Sequence, residues 1–246
     1  MLASKPSVSN NLPIGTGPSS VARLFRERVA PCGLEPLRQL EAGVEAKLAA
    51  VRELEAASAD RFPQQFRAVV RGVLSARSDG PRIVAETNRT GVQAAVKAAR
   101  TGYLGPAQLT EVADRLAGAP EEVLRDVASE LLHGGAPDRV SLLARWVWNP
   151  SRRTGVLAEL GAPTADSYAH AQARLGEIRL ELGTLGFPCA SFAGVDVVLA
   201  LTYAARLQLA TDGQLRSGGL ESLLPGAYPL AAMILGVRRQ VVDADR

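Results

Sequence analysis

Residues 35–58, EPLRQLEAGVEAKLAAVRELEAAS, decide the fold class. Leu37, Leu40, Val44, Leu48, Val51 and Leu54 recur at intervals of three and four, a spacing that lines one face of an α-helix. The opposite face is acidic, from Glu35, Glu41, Glu45, Glu53 and Glu55. The repeat is too short for a coiled-coil seam and has no polar register device, so ordinary bundle packing is expected. Composition extends this reading to the whole chain. Of its 246 residues 47% are hydrophobic but only 4% aromatic, so the core must be built from Ala, Leu and Val. Ala and Leu lose little entropy in a helix, and no long window alternates apolar and polar residues as a sheet requires. The expected fold is all-α: an N-terminal arm and helix at 1–32, a helical lobe at 33–135 and a second at 136–246.

Towards the N-terminus, residues 1–18 are rich in Ser, Pro, Asn and Gly and read as a flexible arm. A helix capped by Ser19 or Ser20 runs to about Val29, with Val21, Leu24 and Phe25 on its apolar face. A short amphipathic helix behind a loose arm can anchor on a neighbouring subunit or on its own core, and both readings stand.

Towards the C-terminus comes FPQQFRAVVRGVLSARSDGPRIVAETNRTGVQAAVKAARTGYL, residues 62–104, read as two helices joined at Ser78-Asp79-Gly80-Pro81. From Arg61 to Arg100 eight cations (Arg61, Arg67, Arg71, Arg77, Arg82, Arg89, Lys97, Arg100) face only Asp79 and Glu86, a local +6. Its neighbours carry −3 (33–60) and −4 (101–137) in a chain of net +3. Further helices are expected at 106–117, at 120–133 with Gly134-Gly135 as its end, and at 138–149. Three more are expected at 164–182, 193–210 and 219–240, the last kinked near Pro225 and Pro229. Gly183–Pro188 and Thr211–Gly219 read as loops. Glu121 and Glu122 suit the positive end of a helix dipole.

Chemistry is sparse. His133 and His170 have no ligand-spaced partner, and no HExxH, CxxC, P-loop, GxSxG or GxGxxG pattern is present. Cys32 and Cys189 form no framework, which points to a reducing compartment. The apolar runs Val197–Ala205 and Ala227–Val237 are too short to span a bilayer, so no membrane insertion is expected. The N-terminus has no secretory core, although it is Ser-rich and free of acids until Glu27, as a transit peptide would be. No enzyme activity, cofactor or metal is expected.

Function therefore rests on the basic stretch. Of the 28 cations 25 are Arg and 3 are Lys. Arginine grips phosphate bidentately and stacks on bases, although a GC-rich genome gives the same bias. Arg67 and Arg71 share a helix face; with Arg77, Arg82, Arg89, Lys97 and Arg100 they can line a groove tracking a phosphate backbone. Arg145, Arg152 and Arg153 flank Trp146 and Trp148, which can stack on single-stranded bases or plug an interface. The competing reading is an internal seam, in which the cations pair with the acidic helices on either side.

The order of signals resembles the nucleoproteins of phlebovirus-like (phenuivirus) segmented negative-strand RNA viruses over about residues 20–133. Phe25-Arg26-Glu27 with Gly33-Leu34-Glu35 is similar to the arm-to-lobe junction. Phe66 to Arg77 with Pro81-Arg82-Ile83-Val84 resembles the helix entering the basic turn. Gly91, Tyr103-Leu104 and Val112-Ala113-Asp114-Arg115-Leu116-Ala117-Gly118 resemble the part of the family's sequence beyond that turn. The family's Arg-Gly-Asn turn is Arg77-Ser78-Asp79 here. The resemblance implies a non-catalytic RNA-binding protein, cytoplasmic or in a virion, that encapsidates single-stranded RNA. It also implies a homo-oligomer formed through the N-terminal arm. The segment Pro225-Gly226-Ala227-Tyr228-Pro229-Leu230-Ala231-Ala232 resembles instead the C or d subunit of V/A-type ATPases, which implies a helical adaptor without nucleic acid.

Overall fold

The structure, a computed structural model, describes residues 18–102, 106–160, 167–187, 191–215 and 226–237. Residues 1–17 of the expected arm, Tyr103-Leu104, Cys189 and Pro225 lie outside the described residues. The fold is all-α. Helix α1 (Pro18–Leu24) winds on through a π turn (Phe25–Val29) and a 3-10 turn (Ala30–Cys32) into α2 (Leu34–Glu53). Then come α3 (Phe62–Arg71), α4 (Gly80–Glu86), α5 (Arg89–Thr101), α6 (Pro106–Ala113) and α7 (Glu121–Gly135). A short α8 (Val156–Glu159) precedes α9 (Tyr168–Thr184), α10 (Phe192–Leu215) and α11 (Ala227–Leu235). Among the described residues the only β pairing is an isolated bridge between Asn149 and Thr154.

Helix α7 is the centre of the packing, with α2, α5 and α6 against it. The apolar line of α2 is buried from Leu37 to Leu54. Gly134 and Gly135 are not a mere stop signal. A Cβ on Gly134 would fall inside the side chain of Val51, and one on Gly135 would meet the Ala99 Cβ at 2.8 Å. These two glycines let α2 and α5 close onto the end of α7. Helix α10 packs on α2, α9 and α11, and one hydrophobic cluster runs from Val21 to Val237.

Several expected boundaries move for local reasons. The basic stretch forms three helices rather than two. Gly80-Pro81 begins α4, and the second break falls at Thr87-Asn88, where the Asn88 side chain accepts from the Thr90 N–H at 2.8 Å. Helices α9 and α10 run on to Thr184 and Leu215, into the expected loops. Pro229 sits in the first turn of α11, where its missing N–H leaves no bond unmade, so it starts the helix rather than kinking it. Phe192–Leu209 of α10 is long and apolar enough to cross a bilayer, contrary to the run-length reading, and 67% of that stretch is buried inside the protein.

The largest departure is at 138–149, which is no helix. Val140, Ser141, Leu142, Leu143, Ala144, Trp146 and Val147 are all buried. An amphipathic helix cannot bury so unbroken a run, and the segment instead threads the interior as a non-helical strap that turns at 145–147. The partners that make this possible are on α7 and α9.

Candidate nucleic-acid interface

A buried non-helical segment needs hydrogen-bond partners for its backbone. The Trp146 and Val147 carbonyls accept from the backbone of Val156 and Leu157, and the part before them turns to side chains. Asp126, Ser129, Glu130 and His133 are spaced to share one face of α7, and each is at most 3% exposed. This polar face grips the strap. The Leu143 N–H donates to Ser129 Oγ at 2.7 Å, and the Arg145 N–H to Asp126 Oδ1 at 2.9 Å. From α9, Gln172 accepts from the Ser141 N–H and donates to the Ser141 carbonyl, both at 3.0 Å. Residues 141, 143 and 145 thus find acceptors at alternate positions, as in a sheet ladder made of side chains.

The charges on this face are matched in place. Asp126 also accepts from Ser75 Oγ at 2.6 Å and from the Arg145 guanidinium at 2.9 Å, and that guanidinium reaches Glu122 as well. Glu130 Oε2 lies 2.9 Å from Lys47 Nζ, which also donates to the Leu235 carbonyl at 2.8 Å. His133 Nδ1 donates to the Val140 carbonyl at 2.6 Å, and Nε2 stands 2.8 Å from Asp196 Oδ2. Burial alone would push the imidazole pKa down. The Asp196 carboxylate, helped by Glu130 and the Val140 carbonyl, outweighs burial and holds it above the usual value. Both ring nitrogens face acceptors, which is the arrangement of an imidazolium. Among the described residues no group of three His, Cys, Asp or Glu is placed to hold a metal ion.

The strap ends in a tight turn. Asn149 and Thr154 exchange backbone hydrogen bonds of 2.9 and 3.1 Å, and Asn149 Oδ1 accepts from the Arg152 N–H and the Ser151 hydroxyl. Arg153 adopts φ +50° and Gly155 φ +106°; a Cβ on Gly155 would meet the Val147 carbonyl at 2.6 Å. Arg152 and Arg153 stand exposed on this turn with no ion pair among the described residues. Beneath it lies a pocket of about 330 Å³, walled by Gly72–Ser75, the strap, Tyr203 of α10 and Ile234 of α11.

Two of the ten cations singled out in the sequence line this pocket, and others lie close to its lining residues along the chain. Arg71, exposed and unpaired among the described residues, directly precedes Gly72 on the wall. Arg77 donates to the Met233 carbonyl at 2.7 Å, beside Ile234. Arg145 and Arg152 line the pocket and Arg153 adjoins it. Arg67 is exposed one turn earlier on α3.

The remaining residues correct the single groove expected across 62–104. Arg82 is exposed on α4 near Glu86, at 3.7 Å. Arg89 is half-buried and donates to the Ala57 carbonyl at 3.4 Å. Arg100 forks onto Glu55 at 2.8 and 3.1 Å, and this hydrogen bonding holds the Glu55 carboxyl below its usual pKa. Lys97 is exposed on α5, and Arg100 lines a separate pocket of about 570 Å³. The full internal seam does not form either. Of the eight cations between Arg61 and Arg100, only Arg100 pairs with a carboxylate of the flanking acidic segments, among the described residues.

Val21, Leu24 and Phe25 pack within their own chain: Val21 is buried, and the Phe25 ring lies 5.7 Å from that of Phe187. Trp146 is buried against Tyr203, with ring centroids 6.1 Å apart, and Trp148 is half-buried. Sequence reasoning does not single out Asp126, Ser129, Glu130, Lys47 or Asp196. The polar spacing on α7 matches that of a solvent-facing stripe, and only the paired glycines at its end signal close burial. No protein-family model, curated protein or solved structure matches this chain.

Proposed function

We propose that the protein binds single-stranded RNA without catalysis, along the surface formed by α3 and the 149–154 turn. One observation carries this reading: Arg152, exposed and with no ion pair among the described residues, lines a pocket whose wall also holds Gly72, the residue directly after the equally exposed Arg71 of α3. Cations along such a surface neutralise successive phosphates and release counterions, giving affinity that falls steeply with salt. Arg77 joins them, whereas Arg145 is committed to Glu122 and Asp126 and serves to hold the pocket wall.

The test is fluorescence anisotropy with labelled single-stranded RNA over a salt series. Arg71→Glu with Arg152→Glu and Arg153→Glu should weaken binding strongly and flatten the salt slope by roughly one unit per lost phosphate contact. Lys97→Glu, on α5, should do much less. Unchanged affinity in the triple variant, or affinity independent of salt, defeats the reading.

Oligomerisation along RNA is the second part of the proposal. The seat of Val21 and Phe25 on α9 and α10 could receive the same helix from a neighbour, with Gly33 at φ +80° as the joint. Size-exclusion chromatography with the A260/A280 ratio, before and after nuclease, separates the outcomes. A ring or ladder carrying RNA supports the proposal. A nucleic-acid-free monomer favours the helical adaptor, a reading that the docking of α1 on its own chain also suits.

A further inference from the structure

We infer that the pocket beneath the 149–154 turn takes one nucleotide, base inward and phosphate at the rim, and prefers bases that carry an exocyclic amino group. The inference rests on the strand-binding reading for its ligand class, and adds a site and a preference to it.

The pocket is polar in a definite order. Its two carboxylates, Asp126 and Glu130, are each 3% exposed, while Arg152 stands in solvent at the mouth. Asp126 is saturated by Ser75 and by the backbone and guanidinium of Arg145. Glu130 is not: Oε2 is held by Lys47, but Oε1 is buried with no hydrogen-bond partner. A buried acceptor left unmade is costly, so this oxygen calls for a donor. Lys47 already balances the charge at 2.9 Å, so the demand is for a neutral N–H rather than a second cation.

The walls suit a flat ring. Trp146 and Tyr203 both line the pocket; Trp146 is buried with its ring tilted at 43° against Tyr203, and the half-buried Tyr203 ring is the face on which a base stacks whatever its identity. The volume of about 330 Å³ lies at the small end of ligand sites. With a base between the aromatic walls and Glu130, its phosphate falls to the mouth, where the Arg152 guanidinium has no partner among the described residues. Adenine, cytosine and guanine each bring an amino donor that projects from the ring edge; uracil has only the N3–H, set between two carbonyl oxygens that repel an approaching carboxylate oxygen.

Calorimetric titration of the full chain with AMP, CMP, GMP and UMP tests this directly. The three amino-bearing nucleotides should bind at least about tenfold more tightly than UMP. Arg152→Ala should weaken all four by a similar factor and leave their ratio intact, and Glu130→Gln should erase the ratio. If Glu130→Gln does not fold, the wild-type series decides alone. UMP binding as tightly as AMP, or none of the four binding, overturns the site. Oligoadenylate and oligouridylate distinguish the sources of the ligand. Equal, salt-dependent binding of both oligomers without binding of any mononucleotide overturns the pocket and leaves the surface reading standing. Discrimination among mononucleotides with no binding of either oligomer supports the pocket and defeats the strand-binding reading.

Discussion

Helices α3 and α7 both carry ionisable side chains along one face, and they use them in opposite ways. On α3, Arg67 and Arg71 stand in water with no carboxylate opposite them among the described residues. On α7, Asp126, Glu130 and His133 lie inside the protein, each against a counter-charge. The comparison shows that the surplus charges of α3 stand in water, although others of the same excess, Arg89 and Arg100, turn back onto the chain. The charges that hold the chain together are balanced, and are therefore inconspicuous. In water an ion pair contributes little. Inside, removing one member leaves the other uncompensated, and the cost is large.

The contrast is broken most directly at Asp126. Asp126→Ala strips the acceptor from Ser75 and from two groups of Arg145, and should cost about 3–5 kcal/mol in a urea unfolding experiment. If the loss equals that of a surface arginine, the α7 face does not anchor the strap. Ser129→Ala comes next. It leaves the buried Leu143 N–H without an acceptor and should cost about 1–3 kcal/mol. Hydrogen exchange should then rise at Leu143 before it rises in α7 itself, because the strap is released while the helix keeps its own bonds.

A pH series sharpens the comparison further. His133 has its pKa raised in the folded state, so folding favours its protonated form. That stabilisation is complete below the unfolded value of about 6.5 and is lost as pH rises through the folded value. The urea midpoint should therefore fall on going from mildly acidic to alkaline buffer, and His133→Gln should flatten that decline. A midpoint that rises over the same window would mean that the imidazole is buried neutral. The smallest effect belongs to α3: Arg67→Ala with Arg71→Ala should change stability by no more than about 0.5 kcal/mol. A larger loss would show that these arginines serve the fold and are not free for a ligand.

Much of the helical skeleton was legible. The spacing in α2, the proline that opens α6 and the Pro120-Glu121-Glu122 start of α7 are local signals, and local signals survive folding; the cap expected at Ser19 or Ser20 is not formed, because α1 already begins at Pro18. The strap was not legible. Val140 to Trp146 has helix-compatible composition, and its non-helical course depends on Ser129, Asp126 and Gln172, side chains up to 31 residues away. Of the candidate site, the arginines were visible as charge, but their division was not. Arg152 lines the pocket and Arg71 precedes its wall residue Gly72, whereas Arg89 and Arg100 turn back onto Ala57 and Glu55.

By itself the sequence determined an all-α chain with an Ala/Leu/Val core and a surplus of arginine between acidic neighbours. Those properties come from residue type and from the spacing of near neighbours, which any helix inherits. Only the tertiary structure decided that the polar stripe of α7 faces inward and replaces a β-partner for the strap. It also decided that Glu130, in a pocket wall shared with Trp146 and Tyr203, keeps one carboxylate oxygen unmatched. Burial is set by what packs against a helix and not by the helix itself, so an identical stripe reads as solvent-facing until its neighbours are in place.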